Sequence, residues 1–455
     1  MASYSEIKNR AALLSASGVI LLSSLLWAVS ATADHIPIKR WATQNGLTLL
    51  LVERHSLPTV HVEVLVKAGS VYDPEDKAGL TFLTAALLDE GTSTRSSIQI
   101  AEEIDFIGAS LSASADSDYT TISLKVLKKD AKVGFDLLSD ILTHPVFPAD
   151  DVERIRQQVL GGLMADKDEP GIVAEKAFDR ILFGAHPYHR PIEGMEETIP
   201  KIQRQDITHF HNTYYRPNNT LMAIVGDMTK EEVEALVKQY WGGWEKKKIP
   251  AIQIPKAPHP TPRKVEIIDK DLTQANILLG HLGIERANPD FYALGVMNYI
   301  LGGGGFSSRL LTAIRENQGL AYSVQSEYDA RYYPGRFTVS LQTKNATANT
   351  AIQEALKQIQ QIRTAPVTDQ ELDEAKSYLI GSFPLRMDTN AKMARLLSHA
   401  QYFNLGPDYF DHYPRYIQDV SKADVLRVAK KYLDPERLIL VAVAKQQEAK
   451  IELKH

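Results

Sequence analysis

The chain of 455 residues contains no cysteine, and that absence removes disulfide bonds, thiolate metal sites, a cysteine nucleophile and a lipobox cysteine together. An excess of charge of one sign is also missing. Fifty-one Lys and Arg stand against 56 Asp and Glu, a net of -5, so neither nucleic acid nor an anionic membrane surface is indicated as a partner. With 44% apolar and 24% charged residues the chain is globular and not disordered. Its length is too great for one hydrophobic core, which implies two or more domains.

The one long apolar run lies at the start. Lys8, Asn9 and Arg10 precede an almost uninterrupted apolar stretch from Ala11 to Val29, and Ala31-Thr32-Ala33 has the small-x-small form of a cleavage site. Residues 1–33 are therefore expected to be a signal peptide, with export to the periplasm and no membrane association after cleavage. An uncleaved inner-membrane anchor is the alternative, because a run of about 18 residues is at the lower limit for spanning a bilayer.

The remainder reads as two copies of one unit. Asp206-Ile207, Tyr214-Tyr215-Arg216-Pro217 and Leu221 to Val225 have counterparts 218 residues later in Asp424-Val425, Tyr432-Leu433-Asp434-Pro435 and Ile439 to Val443. In each copy a helix ends at an aromatic, a proline turn follows and an apolar strand closes the unit. Val152 to Gly161 matches Leu372 to Gly381 at an offset of 220. Between the copies, residues 249–262 carry five prolines and no helical period, which describes an extended, semi-stiff linker. The expected organisation is an N-terminal domain over 34–248 and a C-terminal domain over 263–455. Strands such as Leu47 to Val52, Val60 to Val66 and Ile277 to Leu282 alternate with helices such as Glu231 to Tyr240 and Ala351 to Ile362. The fold class is α+β, each half a largely antiparallel sheet packed with helices.

Residues 79 to 92, Gly-Leu-Thr-Phe-Leu-Thr-Ala-Ala-Leu-Leu-Asp-Glu-Gly-Thr, read by themselves as a buried amphipathic helix. Their frame resembles the inverzincin helix of the pitrilysin and insulinase family of zinc peptidases, where a His-x-x-Glu-His turn sits between a Gly-Leu and a Gly-Thr pair. In that register Phe82, Ala85 and Ala86 stand where the family has its first His, its general-base Glu and its second His. The family's third ligand, a glutamate about 75 to 80 residues further on, corresponds to the neighbourhood of Gly161 and Gly162 in a helix running from Val152 to Leu163. Catalytic zinc needs three lone-pair donors and an open position for water, and these residues supply none. The resemblance implies two homologous halves facing each other as a clamshell around an enclosed peptide.

The second half carries Leu301 to Leu310 with four consecutive glycines, then Ile314 to Ser323. The glycines follow a helical segment, Tyr292 to Ile300, and no Gly-Lys-Ser/Thr closes the run, so a helix end and loop is favoured over a phosphate cradle. The same stretch resembles the family's second-half signature, and by that resemblance Arg315 and Tyr322 are the pair that holds the substrate backbone and the oxyanion. A guanidinium and a phenol can both donate to a carbonyl oxygen as it gains negative charge. His209 and His211 are two apart on a helix and point to different faces. His186 and His189 lie in a proline-bounded turn that suggests structure and not metal binding. No Ser/His/Asp set can be assigned from order alone.

The resemblance implies a non-catalytic, substrate-binding subunit of a periplasmic heterodimeric zinc metallopeptidase, inactive alone and without a cofactor of its own. A paralogous subunit would supply zinc, and Arg315 and Tyr322 would bind the peptide substrate. A scaffold or peptide-binding protein of the same fold with no part in catalysis is the alternative, and a stand-alone enzyme with a relocated metal is a third reading.

Overall fold

Apolar runs bounded by turn residues become the strands of two sheets. The computed structural model describes residues 36–258 and 263–452; the expected signal segment lies outside the described residues. Pro37–His455 clusters as one compact unit. The first half runs β1 (Lys39–Ala42), β2 (Thr48–Glu53), β3 (Thr59–Val66), α1 (Leu80–Ala86), α2 (Ser97–Phe106), β4 (Ser110–Ala115), β5 (Thr120–Leu127), α3 (Ala131–Thr143), α4 (Ala149–Asp166), α5 (Pro170–Phe183), α6 (Arg204–Tyr214), β6 (Thr220–Gly226) and α7 (Lys230–Trp241). The second runs β7 (Lys264–Asp269), β8 (Gln274–Leu282), α8 (Phe291–Asn298), β9 (Ala321–Asp329), β10 (Arg336–Lys344), α9 (Ala348–Thr364), α10 (Asp369–Gly381), α11 (Asn390–Tyr402), α12 (Tyr409–Gln418), α13 (Lys422–Tyr432) and β11 (Ile439–Ala444).

The first sheet has the order β1-β2-β6-β3-β5-β4 and the second β7-β11-β8-β10-β9. Apart from the extra β1 these are one topology. In each sheet the first strand of the repeated unit pairs in parallel with the last, β2 with β6 and β7 with β11, and the remaining pairs are antiparallel. The repeat extends to the helix starts. Gln203 with Asp206 and Ser421 with Asp424 form capping boxes at α6 and α13, satisfying orphan N–H groups at equivalent places. β6 and β11 are buried along their whole length, which explains why both read as unbroken apolar runs instead of alternating ones.

Both faces of these strands are covered because the halves exchange a helix. α5, from the first half, packs on β8 and β11 of the second sheet, and α11, its counterpart 220 residues on, packs on β3 and β6 of the first. Ala174, Ala177, Phe178, Leu182 and Phe183 of α5 share a buried cluster with Leu278, Ile439, Val441 and Val443. The described part of the linker, 249–258, has neither helix nor strand, and its Ile252 and Ile254 lie against this same cluster.

One element is shorter than its sequence suggests. Residues 79 to 92 are expected as a single helix, but α1 spans only Leu80–Ala86. Beyond it the winding tightens to three-residue bonds, Leu87 N–H to Thr84 C=O at 3.4 Å and Leu88 N–H to Ala85 C=O at 3.3 Å. The Thr84 hydroxyl meanwhile donates back to the Leu80 carbonyl at 2.7 Å, a bond that competes with regular winding. Gly91, at a φ of 139°, then turns the chain away.

Candidate functional site

The start of α1 is fixed by a buried carboxylate. Asp73 accepts from the N–H groups of Gly79 and Thr81, each at 3.0 Å, and from the Thr81 hydroxyl at 2.5 Å. Burial pushes the Asp73 carboxyl up to about 7, against the pull of those donors. Gly79 enters the helix at a φ of 97°. A Cβ there would lie 2.6 Å from Ile199 Cδ1 and 2.8 Å from the Glu193 carbonyl oxygen. Only glycine fits such a position without strain. The Gly79 and Gly91 frame is thus demanded by the backbone and survives whether or not a metal is held between.

Phe82 and Ala86, four residues apart on α1, line one cavity of about 650 Å³ together with Gly162 of α4. Of the two glycines at the position of the third ligand, Gly162 is the one in this wall. A Cβ on it would meet nothing within 4 Å. Ala85, at the general-base position, is buried and outside the cavity lining. The wall therefore offers an aromatic ring, a methyl group and a hydrogen where three metal ligands would stand, and these do not fit zinc. Among the described residues no group of three or more His, Asp or Glu side chains is placed to hold a metal ion.

The rest of the wall comes from α4, α5, the turn around Tyr188, Ser117 between β4 and β5, Arg331 between β9 and β10, and Arg336 of β10. Most of its charges are paired: Lys176 with Asp166 at 2.6 Å, Arg336 with Asp179 at 2.8 Å and Arg331 with Asp329 at 2.6 Å. Arg190 differs. It is buried, its Nη1 donates to the Asp73 carbonyl at 3.0 Å, and its Nε has no hydrogen-bond partner.

Arg315 and Tyr322 do come together. The guanidinium carbon lies 5.6 Å from the Tyr322 ring centre and 5.5 Å from that of Phe306, within cation–π range. Arg315 sits on a wide π-type turn, Thr312–Glu316, and Tyr322 is the second residue of β9. Tyr322 is 75% exposed and Phe306 71%. Among the described residues no carboxylate pairs with Arg315. The pair lines a second cavity of about 510 Å³ with Gly302, Gly303 and Gly305, and this cavity shares no lining residue with the first. Three of the four glycines, Gly302 to Gly304, are required by packing. α8 widens into a π-type turn at Tyr299–Gly303, and a Cβ on Gly302 would lie 2.5 Å from Ser326 Oγ.

The histidines behave as structural groups. His211 is buried, its Nε2 bonds the Leu142 carbonyl at 3.0 Å, and burial holds its imidazole down to about 4; His209 is exposed on another face. His186 is buried, its Nδ1 accepts from the Tyr188 N–H at 3.1 Å, and burial again lowers it to about 4. His189 lines the first cavity, its Nδ1 held at 2.9 Å by the His186 carbonyl. The turn these histidines form joins the halves. The Tyr188 hydroxyl donates to Asp118 at 2.6 Å, and the N–H groups of Tyr332 and Tyr333 donate to Asp118 and to the Tyr188 oxygen at 3.2 and 3.3 Å. Asp118 carries no motif and nothing in its local sequence announces it, whereas Arg190 belongs to the proline-bounded turn 186–191, whose sequence signals structure and not a binding role.

Comparison with known proteins agrees with this arrangement. Residues 48–196 match the family model described as insulinase (peptidase family M16), and residues 201–379 match the one described as the peptidase M16 inactive domain. An uncharacterized zinc protease of Mycobacterium leprae is 30% identical over 421 residues, covering 87% of this chain and 89% of that protein. One from Bacillus subtilis is 28% identical over 363 residues, covering 79% and 87%. The crystal structure of a peptidase M16 inactive domain from Pseudomonas fluorescens superposes with a TM-score of 0.85 at 30% identity, covering 90% of this chain and 98% of that one. A Helicobacter pylori protease structure, covering 89% and 99%, has a TM-score of 0.84 at 22% identity, a likeness of fold alone.

Proposed function

We propose, from the premise that this chain belongs to the M16 peptidase family, that it is the non-catalytic, substrate-binding subunit of a periplasmic heterodimeric zinc metallopeptidase. A paralogous subunit provides zinc, general base and water, and this chain contributes Arg315 and Tyr322 to the peptide being cut. The observation that carries the reading is an asymmetry. Phe82, Ala86 and Gly162 leave the metal position without donors, while a half-buried Arg315 stands beside an exposed Tyr322, unpaired with any described carboxylate. An unpaired guanidinium beside a free phenol is suited to a carbonyl oxygen that becomes negative, and less suited to packing. The apolar leader and its small-x-small end support export.

The test mixes the purified chain with a paralogue from the same genome that bears His-x-x-Glu-His. Zinc-dependent peptidase activity should appear in the mixture and in neither protein alone. Arg315→Ala and Tyr322→Phe should lower turnover on the order of 100-fold, as loss of an oxyanion donor does, with complex formation by gel filtration unchanged. Turnover that ignores both substitutions would assign this chain to a scaffold role.

A further inference from the structure

The cavity left where the metal ligands are missing has its own chemistry, distinct from the Arg315 and Tyr322 pocket. Its apolar side is built by Phe82 and Ala86 of α1 and Ile155, Val159 and Leu163 of α4. Four cationic side chains reach the wall, and three of them, Lys176, Arg331 and Arg336, are neutralised by aspartates at 2.6 to 2.8 Å. Arg190 is the exception. It is only 8% exposed, its Nη1 bonds a main-chain carbonyl, and its buried Nε has no partner. Among the described residues no carboxylate lies within ion-pair distance of it, and Asp73 and Glu75 act on its charge only from further away. A guanidinium taken out of water gains most from an anionic acceptor, and a carboxylate supplies charge and acceptor together.

We propose that this cavity binds a carboxylate carried on an apolar tail, the carboxylate on Arg190 and the tail against Phe82, Ala86, Ile155, Val159 and Leu163. Two sources share that chemistry: the C-terminal residue of a peptide and a free fatty acid. At about 650 Å³ the space is of the size that holds a small organic ligand. Glu193 is the one exposed carboxylate of the wall with no ion pair among the described residues; its exposure leaves it screened by water, so it opposes an entering anion only weakly.

Calorimetry on the full chain tests this with three probes: N-acetyl-Ala-Leu as the free acid, the same dipeptide as its C-terminal amide, and decanoate. The acid, decanoate or both should bind, and the amide should bind at least tenfold more weakly than the acid. Arg190→Met should bring the acid down to the level of the amide. Because that variant removes a buried bond to Asp73, a second one guards against misfolding. Gly162→Leu places a side chain where a Cβ meets nothing within 4 Å, and it should fold normally yet abolish binding by filling the space. Binding of the acid without decanoate identifies a peptide end, and the reverse identifies a fatty acid. Equal binding of acid and amide, undiminished binding by Gly162→Leu, or no binding of any probe at millimolar concentration would overturn the proposal. Arg315→Ala should leave this binding untouched, which separates its failure from failure of the subunit reading.

Discussion

Gly79 and Asp118 show how single residues hold this site in shape without taking part in chemistry. Gly79→Ala puts a Cβ at a φ of 97° and within 3 Å of two neighbours, and it should cost about 1–3 kcal/mol, measured by chemical denaturation. Asp118 is buried, and its carboxyl is pushed up from the ordinary 3.8 to about 6 by desolvation, the Tyr188 hydroxyl pulling the other way. A raised carboxyl binds its proton more tightly in the fold than in the unfolded chain. Its contribution is therefore complete below about pH 4 and declines as the pH rises through about 6. Asp118→Asn has no such group, so the stability of the native protein relative to this variant should fall by up to about 3 kcal/mol between pH 4 and 7. The buried histidines titrate in both proteins and cancel from the difference.

At the scale of elements, α1 and α4 bring the positions that correspond to the family's metal ligands to one cavity wall. Phe82 and Ala86 are one helical turn apart and share a cavity wall with Gly162, so side chains of the right type should converge there. The triple variant Phe82→His, Ala86→His, Gly162→Glu is expected to bind one zinc ion per chain, measured by metal analysis after dialysis, where the native chain retains none. Failure to bind would mean that the register drawn from the glycine frame is wrong. The frame was legible because Gly79 and Gly91 are backbone requirements. The length of α1 was not, since the tightening after Ala86 depends on the Thr84 hydroxyl choosing a main-chain acceptor.

For the whole molecule the decisive feature is the exchange of α5 and α11. Each helix covers the sheet of the opposite half, so either half alone leaves one face of its sheet bare. A cut within the linker at 249–262 should leave the two fragments associated and folded, eluting together on gel filtration. Residues 34–248 expressed alone should be unfolded or aggregated, because the face of β3 and β6 that α11 covers would be bare. Independent folding of that fragment, with a sharp thermal transition, would refute the shared-core account. Arg331 and Tyr332, which contact Ser117 and Asp118 across the halves at 3.0 and 3.2 Å, add polar links to the same joint.

The sequence alone determined the α+β class and the duplication at offsets of 218 to 220, and its resemblance to the family singled out Phe82, Ala85 and Ala86 as lacking donors and Arg315 with Tyr322 as a pair. These are legible because period, turn chemistry and ligand type are local properties of a chain. The tertiary structure decided what depends on residues far apart. It exchanged the helices, chose Gly162 over Gly161 for the cavity wall, kept the Arg315 pocket separate from that cavity, and left Arg190 buried without a direct ion pair. Each of those follows from which surfaces meet after folding, and no pattern along the chain records a meeting between residues more than a hundred positions apart.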